Sequence, residues 1–585
     1  MQELSTCRKS QGGMRMNTRL LSSEFPIHFQ AEMTKDGAKG VSLPGNAILL
    51  GTLGTVVIFV CLFAMDVETV IGWAKYSSQK AVADISSIRN NQPEKSSSES
   101  ASVRRDALVN ITHDPTCLAR TQHLLYRRDP ERFQPLPEFD KAWDRYVAMH
   151  QSCTQGKNWT QVFLHERNMT VDCNYMIVME GSGGLGNKLL SLTSAFAYAL
   201  ATDRIVLVES RKHFKDLLCD PFPGSSWYLP EGFPYDNVWG NATRMNVAIS
   251  KNFTDVDNFV RLSLDHIQTW ADGQFFCDHT HNGLAKVRWL AWTSNQYFIT
   301  RLLMIPRVWE RLNPLAKPGQ IFTILSHKLL LPNNKLWAHV VRLYFAYLAG
   351  SSRRVGVQVR LHGRPNLAEF DPVVYDRILD CLQTNRALPK LREEEDVSDL
   401  MSFARNGYEG STEISVLVTS LQLRYYDEMK DLYVNRPNVN GTVIRFHMVS
   451  HLDRQDGSMH QSETAFVEMW LLSFSDVLLI SRYSTFGYIP QGIGGIIPSH
   501  LNTQTVPPGQ ENNASSCHPG ISTQPCTHFP QKPRCDPGST GNESHREWMR
   551  CHVRECVDHE GGLQLVQESE QPNESARLWG DVLQS

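Results

Sequence analysis

Hydrophobic residues form one long uncharged run and several short ones along the chain. The long run, residues 47–65, reads AILLGTLGTVVIFVCLFAM. As a helix it is roughly 28 Å long, close to the ~30 Å hydrocarbon core of a bilayer. A buried core helix is the alternative, but the run has no amphipathic stripe and polar residues flank it. The pattern predicts a single transmembrane signal anchor over 47–65, with a polar tail over 1–46 and a Ser-rich stem over 66–114.

Further along, short apolar strands alternate with a glycine-rich loop and a helix. The strand 176–179 leads into the loop GSGGLGN, a helix follows over 188–202, and a second strand is predicted at 205–208. This β-loop-α-β order is the building block of a parallel sheet. The sequence therefore predicts an α/β fold.

The glycine-rich loop has G-x-G-x-x-G spacing from Gly181 to Gly186, and Glu209 lies 23 residues beyond the last glycine. These are ingredients of a dinucleotide-binding fingerprint, so one hypothesis is an NAD-dependent oxidoreductase. Asn187 and Lys188 argue against it, because they place an amide and a cation at the helix start. All interpretations in which this loop binds a ligand have two features in common. The glycines let a ligand approach the backbone, and the amides at the start of the helix favour an anion. A tight turn without a ligand is the remaining alternative.

A second strand-loop-helix unit lies near the other end of the chain. A helix over about 462–475 precedes the strand 476–480, and the loop 481–487 opens a glycine-rich helix. Between the two units, the alternating strand 354–360 ends at Arg360. Hydroxyls and free amides at a strand end suit a phosphate or ribose, and a guanidinium can clamp a pyrophosphate. A capped helix and a solvated arginine are the alternatives without a ligand.

Composition narrows the class of protein. The 585 residues include 58 Lys and Arg against 61 Asp and Glu, and 41% are hydrophobic. This charge balance argues against a nucleic-acid-binding protein, and the apolar content excludes a largely disordered chain. The mean hydropathy of -0.32 excludes a protein with many membrane spans.

Cysteines and glycosylation sequons concentrate after the apolar run. Eleven of the 13 cysteines follow it, and nine N-x-[ST] sequons occur there. This pattern suits an oxidising lumen, with residues 1–46 in the cytosol. A zinc site in the tail is the alternative, but its cysteine spacing is poor and no histidine pair completes it. The tail cysteines are Cys517, Cys526, Cys535, Cys551 and Cys556.

Four sequence blocks occur together in the order of a known family. They are GLGNKLLSLTSAFAYALATDR from Gly184, CDPFPGSSWYLP from Cys219, VGVQVR from Val355 and STFGYIPQGIGG from Ser484. The tail segment CVDHEGGLQLV, from Cys556, adds a further similarity. On these motifs, roughly residues 115–570 of the chain resemble the plant xyloglucan (galactoside 2-alpha-L-) fucosyltransferase family.

The resemblance implies a GT-B-like architecture, in which two Rossmann-like halves face a cleft. The acceptor-side half would span 115–349 and the nucleotide-sugar-binding half 350–510, followed by a cysteine-rich segment over 511–585. It implies an inverting transfer of L-fucose from GDP-fucose to a galactose hydroxyl, in α-1,2 linkage. The acceptor would be a cell-wall polysaccharide such as xyloglucan, or a glycoprotein glycan. It also implies a single-pass type II Golgi membrane protein with its catalytic body in the lumen, and allows a homodimer.

The resemblance also implies roles for individual residues, with no metal and no cofactor besides the donor. Without a metal, a cation and oriented amides must stabilise departing GDP, so Arg360 is the expected catalytic group. An Asp-x-Asp pair at Asp255 and Asp257 is interpreted as chance. The residues expected at the donor are Gly186, Asn187, Lys188, Arg360, Ser484, Thr485, Phe486 and Gly487, and those expected at the acceptor are Asn295, Gln296 and Tyr297.

The chain departs from the family pattern at two expected site positions. Lys188 replaces an arginine, which keeps the charge but loses the bidentate geometry. Asn295 replaces a carboxylate and cannot act as a base at neutral pH. His362 and Asp371 are weak substitutes for that base. A non-catalytic, glycan-binding Golgi member of the same fold is therefore the alternative function.

Overall fold

The strands and helices come from a computed structural model. It describes residues 114–164, 173–209, 214–230, 233–234, 240, 242–254, 259–265, 270–361, 370–392, 412–439, 441–450, 457–504, 515–530, 535 and 541–567. All of them belong to one compact unit. The predicted tail, membrane anchor and nearly all of the stem lie outside these residues. Within the described ranges, no helix has the length and apolar character needed to cross a bilayer.

The described strands fall into two large sheets and one hairpin. They are β1 (Asn174–Glu180), β2 (Arg204–Val208), β3 (Thr243–Arg244), β4 (Phe259–Leu264), β5 (Trp289–Ser294), β6 (Arg353–Val359), β7 (Glu413–Ser420), β8 (Val443–His447), β9 (Val477–Ser481), β10 (Ser499–Leu501), β11 (Cys517–Pro519), β12 (Val553–Glu555) and β13 (Leu563–Leu565).

Most of the helices connect or cover these strands. They are α1 (Leu118–Gln122), α2 (Pro137–Thr154), α3 (Trp159–Leu164), α4 (Leu185–Ala201), α5 (Phe214–Leu217), α6 (Met245–Ser250), α7 (Trp270–Phe275), α8 (Thr280–Leu284), α9 (Ile299–Leu303), α10 (Pro306–Leu312), α11 (Ile321–Leu329), α12 (Asn334–Tyr347), α13 (Pro372–Thr384), α14 (Arg424–Asn435), α15 (Met459–Leu472), α16 (Thr485–Gly494) and α17 (Glu543–His552).

The first sheet has the order β2-β1-β5-β4-β3, and its paired strands run parallel. All five residues of β2 are buried, as expected for a parallel sheet covered on both faces. The predicted β-loop-α-β unit is confirmed as β1, α4 and β2. The helix begins at Leu185, three residues before its predicted start, because the last glycine of the loop is already helical.

The second sheet has the order β11-β10-β9-β6-β7-β8. Its pairs are parallel except for β10 and β11, which are antiparallel. The helix α15 and the strand β9 lie within three residues of their predicted bounds. The strand predicted at 354–360 is β6, and Arg360 follows it directly.

One hydrophobic core joins the two sheets. Phe322 of α11, Trp470 of α15 and Tyr488 of α16 all belong to the same buried cluster. The contact is close, because a Cβ on Gly492 would meet the Phe322 ring at 2.2 Å. The halves predicted from the sequence therefore pack against each other through side chains rather than through a linker.

The cysteine-rich tail is built into both halves, although the sequence treats 511–585 as a separate segment. Its strand β11 extends the second sheet, and Cys517 forms a disulfide with Cys381. Cys535 forms a disulfide with Cys277 in the first half, and Cys526 with Cys556 within the tail. Four of the five tail cysteines are thus in disulfides and offer no thiolates for a zinc site in this form. Two more disulfides join Cys117 to Cys219 and Cys153 to Cys173.

Candidate active site

A cavity of about 720 Å³ opens where the carboxyl ends of the second sheet meet the start of α4. Its walls come from the loop and first turn of α4, the ends of β6 and β7, one side of α15, and the start of α16. In α/β proteins, ligands bind outside the carboxyl ends of the strands. The cavity is therefore the candidate active site.

The N-termini of α4 and α16 touch each other at this cavity. A Cβ on Gly186 would lie 2.6 Å from the carbonyl oxygen of Thr485 and 2.9 Å from the backbone nitrogen of Phe486. Only glycine allows this approach. Two sets of unpaired helix amides, each at the positive end of a helix dipole, therefore point toward the same region and favour an anion there.

The glycine-rich loop before α4 is shaped by two further contacts. Gly183 has φ +99°, a backbone conformation that favours glycine, and the Asn187 side chain packs against it. A Cβ on Gly181 would lie 2.1 Å from the carbonyl oxygen of Ser294 at the end of β5. The loop is thus held against the first sheet while its other side lines the cavity.

Arg360 lines the cavity at the end of β6. Its backbone nitrogen donates a hydrogen bond of 2.8 Å to Ser481 Oγ, which fixes it beside β9. Burial lowers the pKa of Arg360 from its ordinary value. An arginine nevertheless stays protonated near neutral pH, so this guanidinium supplies positive charge to the cavity.

Ser484, Thr485 and Phe486, which are predicted donor contacts, also line the cavity. Ser484 is 1% exposed, and its Oγ has no hydrogen-bond partner among the described residues. Gly487 does not line the cavity, which corrects its prediction as a donor contact. A Cβ there would lie 2.8 Å from Cβ of Ile480, so glycine at this position lets α16 pack onto β9.

Lys188 lines the cavity with its charge already paired. Its Nζ lies 2.5 Å from Oε1 of Glu180, whose carboxylate is fully buried. The Glu180 backbone nitrogen donates to Oε2 of Glu209 at 3.2 Å. Glu209 is 7% exposed and does not line the cavity, so it is not placed to bind a ribose as the oxidoreductase hypothesis requires.

The three predicted acceptor residues do not line the cavity. Asn295 donates through Nδ2 to Ser182 Oγ at 3.3 Å and thereby contacts the glycine-rich loop. Gln296 is buried. Tyr297 is 2% exposed and packs edge-on against Phe322, and burial raises its pKa. The prediction for Tyr297 is therefore corrected, because its ring is part of the core.

Of the two candidate substitutes for a catalytic base, His362 and Asp371, only Asp371 lies among the described residues. Asp371 caps α13, where its Oδ1 accepts a hydrogen bond of 2.9 Å from the Val373 nitrogen. It is thus a structural residue rather than a base. His362, Asp255 and Asp257 lie outside the described residues.

The tail brings a histidine to the cavity that the sequence did not single out. His528 lines the cavity, and its Nε2 lies 2.8 Å from the Tyr488 hydroxyl. That hydroxyl donates to Asp558, which also accepts from the Tyr483 nitrogen. Burial alone would raise the pKa of Asp558, but His500 and the Tyr488 hydroxyl outweigh it and hold the pKa below its ordinary value. The similarity of the CVDHEGG segment to the family was a signal for Asp558 but not for His528.

A second missed residue is Glu468 of α15. It interrupts the otherwise apolar stretch AFVEMWLL, which was the available signal, and it lines the cavity. Burial raises its pKa to about 8.

One group of described residues has ligand atoms close enough together to hold a metal ion. It consists of Cys526, Cys556 and Asp558, with ligand atoms within 4.8 Å of one another. The two cysteines form a disulfide, so they offer no thiolates in this form.

Comparison with known proteins assigns the chain to a family. The sequence model of the family described as xyloglucan fucosyltransferase matches residues 87–536, more than half of the chain. The chain belongs to the xyloglucan fucosyltransferase family. It is a fucosyltransferase, so the family predicted from the four sequence blocks is confirmed and the oxidoreductase hypothesis is wrong.

Curated relatives of this fucosyltransferase are similar over most of their length. It is 32% identical to a galactoside 2-alpha-L-fucosyltransferase of Pisum sativum, with 77% of this chain and 80% of the relative covered. It is also 32% identical to fucosyltransferase 2 of Arabidopsis thaliana, with 83% and 90% covered.

A solved structure extends the similarity to the fold. It contains a variant of Arabidopsis thaliana FUT1 in complex with GDP, and it is 31% identical to this fucosyltransferase. The TM-score is 0.66, and the match covers 79% of this chain and 99% of that chain.

Proposed function

We propose that this fucosyltransferase moves L-fucose from GDP-fucose to a galactose hydroxyl in α-1,2 linkage, with inversion. The single observation that carries the proposal is the convergence of two helix N-termini and Arg360 on one cavity. Arrangements of this kind bind phosphate groups. The GDP in the similar structure and the galactoside 2-alpha-L-fucosyltransferase relatives support the same donor and linkage. Xyloglucan is the proposed acceptor, and a glycoprotein glycan the second.

The proposed chemistry places the leaving group between these elements, in a GT-B-like arrangement of two Rossmann-like halves. Negative charge accumulates on GDP as the bond to the anomeric carbon breaks. Arg360 would neutralise the pyrophosphate through paired hydrogen bonds, and the amides at Thr485 and Phe486 and the Ser484 hydroxyl would add donors. Positive charge and backbone dipoles thus stabilise the leaving group, as a divalent cation does in other transferases. No metal or further cofactor is required.

A transfer assay tests this function directly. The purified full-length chain is incubated with radiolabelled GDP-fucose and galactose-ended xyloglucan oligosaccharides, or with the same oligosaccharides lacking galactose. We expect label to move only to the galactose-ended acceptor, and to do so in the presence of a chelator. NMR of the product should show the anomeric configuration opposite to that of the donor.

Two results would count against the proposal. Transfer that stops with a chelator and returns with manganese would contradict the metal-free mechanism. GDP binding without turnover on any galactose-ended acceptor would favour the alternative, a non-catalytic glycan-binding member.

We also propose that the chain is a single-pass type II Golgi membrane protein with its catalytic body in the lumen. The disulfides support an oxidising compartment, since such bonds are rare in the cytosol. A C-terminal epitope tag protected from protease in intact Golgi vesicles, and lost when detergent is added, would agree with this orientation. A tag that is digested in intact vesicles would indicate the opposite orientation, with the catalytic body in the cytosol. The homodimer stays a prediction, which sedimentation of the purified chain can test.

A further inference from the structure

The loop between β9 and α16 contains a residue with a strained backbone. Tyr483 has φ +60°, in the left-handed region that residues other than glycine rarely adopt. Tyr483 lines the cavity, and Ser484, which follows it, is the N-cap of α16. Such backbone conformations persist only where contacts with the rest of the structure hold them. The start of α16 therefore depends on what fixes Tyr483.

The tail contacts this loop through Asp558. Oδ2 of Asp558 accepts a hydrogen bond of 3.3 Å from the Tyr483 nitrogen, and the same oxygen accepts one from the Tyr488 hydroxyl. The backbone oxygen of Asp558 accepts a third, of 3.3 Å, from Nε of Arg482. Along the chain, these donors precede and follow residues 484–486, which line the cavity. Asp558 therefore braces the first turn of α16 at both of its ends.

The carboxylate of Asp558 has the chemical state that this role needs. It is 1% exposed, and burial by itself would raise its pKa. His500, whose Nδ1 lies 3.5 Å from Oδ2, and the Tyr488 hydroxyl outweigh burial and hold the pKa of Asp558 below its ordinary value. The carboxylate is therefore ionised at neutral pH and only accepts hydrogen bonds, so its contact with the Tyr483 nitrogen is charge-assisted.

The part of the tail that carries Asp558 is itself held in place. Cys556, two residues earlier, forms a disulfide with Cys526. The backbones of Thr527 and Leu563 exchange two hydrogen bonds, of 2.8 and 2.9 Å, beside this disulfide. Asp558 is therefore anchored by contacts within the tail, in addition to those with the loop.

We propose that Asp558 is a positioning residue of the donor site. It holds Tyr483 in the left-handed conformation and thereby directs the amides of Thr485 and Phe486 toward the diphosphate of the donor. The inference rests on the proposed function, in which GDP-fucose binds in this cavity. Asp558 does not line the cavity, so it acts through the loop rather than by contact with the ligand. Without it, Tyr483 would relax to a negative φ, and the amides that follow would turn away from the anion.

Calorimetric titration of the full-length chain with GDP tests this role. Asp558→Ala removes both hydrogen bonds of Oδ2, and we expect it to weaken GDP binding by about 10–100-fold. Asp558→Asn should stay within about fivefold of wild type, because its amide oxygen can accept the same two hydrogen bonds. An asparagine variant that binds GDP as weakly as the alanine variant would contradict the inference.

The matched control is Asp476→Ala, at the opposite end of β9. Oδ2 of Asp476 also accepts a hydrogen bond from a backbone nitrogen, that of Arg354, at 2.8 Å, and Asp476 does not line the cavity. The control should lower the Tm and leave the GDP affinity unchanged. If it weakened GDP binding as much as Asp558→Ala does, the effect would be one of general stability and the inference would be wrong.

A double-mutant cycle tests the strain at Tyr483. Glycine adopts a positive φ without a steric penalty, so Tyr483→Gly removes the need for a contact that holds the loop. In this background, Asp558→Ala should weaken GDP binding less than it does in the wild-type chain. Equal losses in the two backgrounds would show that Asp558 does not act through the backbone of Tyr483, which would refute the inference.

A milder variant keeps the test decisive if Asp558→Ala does not fold. Tyr488→Phe keeps the buried ring and removes the hydroxyl that donates to Asp558, and Tyr488 does not line the cavity. This variant should weaken GDP binding by about 3–10-fold. Wild-type affinity for GDP in Tyr488→Phe would argue decisively against the inference.

The inference and the proposed function fail in different ways. If wild type and Asp558→Ala bind GDP equally tightly, whatever the kcat of the variant, the inference alone is overturned. If the wild-type chain binds GDP but transfers no fucose, and the variants lose affinity as described, the proposed function alone is overturned. A chain that binds no GDP would overturn both.

Discussion

Arg360 and Lys188 both bring positive charge to the cavity, but their surroundings give them different roles. Lys188 is in an ion pair with the buried carboxylate of Glu180, so much of its charge is already compensated. Arg360 extends from the end of a central strand, with its backbone fixed by Ser481. At the position where the family pattern has an arginine, this chain therefore has a lysine that is held by a buried carboxylate.

Arg360→Ala should lower kcat/KM for GDP-fucose by about two to four orders of magnitude, because it removes a main stabiliser of the leaving group. The kcat/KM of Arg360→Lys should lie between those of the wild type and of Arg360→Ala, since lysine keeps the charge and loses the bidentate geometry. Steady-state kinetics on folded variants measure this. Near wild-type kinetics for the alanine variant would refute the assigned role.

Glu468 should also affect stability in a pH-dependent way. Its pKa is about 8 in the folded chain and 4.5 ordinarily, so the folded state binds more protons between these values. The contribution of this group to the free energy of unfolding is therefore fully present below pH 4.5 and is lost as the pH rises through 8. We expect the Tm of ligand-free Glu468→Gln, relative to wild type, to rise from pH 5 to pH 8. A constant difference measured by differential scanning fluorimetry would contradict the raised pKa.

At the scale of elements, α4 and α16 do together what neither helix could do alone. Each begins after a strand of a different sheet, and they meet through the backbone contact at Gly186. Their N-termini thus line the same cavity. This contact also ties the two sheets together at the cavity.

Gly186→Ala should destabilise the chain by about 1–3 kcal/mol, because the new Cβ would lie 2.6 Å from the Thr485 carbonyl oxygen. Helix propensity alone would favour alanine at this position, so a loss of stability would be due to the steric clash. Gly184→Ala is the matched control, since nothing lies within 4 Å of its Cβ. Denaturant unfolding measures both, and equal effects of the two substitutions would argue against the close approach.

The tail should contribute to the stability of the first half through its disulfide. Replacing Cys277 and Cys535 by serine removes a crosslink between residues 258 positions apart, which should cost about 2–5 kcal/mol and lower the Tm. Cys551→Ser is the control, because none of the disulfides between described residues includes Cys551. A double variant as stable as this control would mean that the tail docks without the bond.

At the scale of the whole molecule, the shared core contains many buried histidines that must stay neutral. Burial lowers the pKa of His123 to about 3, and lowers that of His150 and His281 to about 4. His150 is held by Ser225 Oγ at 2.9 Å and by the Val206 carbonyl at 3.2 Å. Folding thus requires these rings to remain unprotonated.

Stability should therefore fall on acidification. The folded pKa values lie below the ordinary 6.5, so the unfolded chain binds more protons between pH 6.5 and about 4. The stabilising contribution is present above pH 6.5 and lost as the pH falls through that window. We expect the Tm to drop steadily from pH 7 to pH 5, with a shallower slope for His150→Gln. A flat Tm over this range would show that other groups compensate.

The sequence by itself determined the features that depend on neighbours along the chain. The two strand-loop-helix units, the strand ending at Arg360 and the family blocks follow from local apolar patterns and glycines, and the structure places them within a few residues. Only the tertiary structure decided that Tyr297 lies in the core and that Glu468 lies in the cavity, because burial depends on elements far away in the sequence. The disulfide partners were undecided for the same reason: any cysteine can pair with any other until folding brings two of them together.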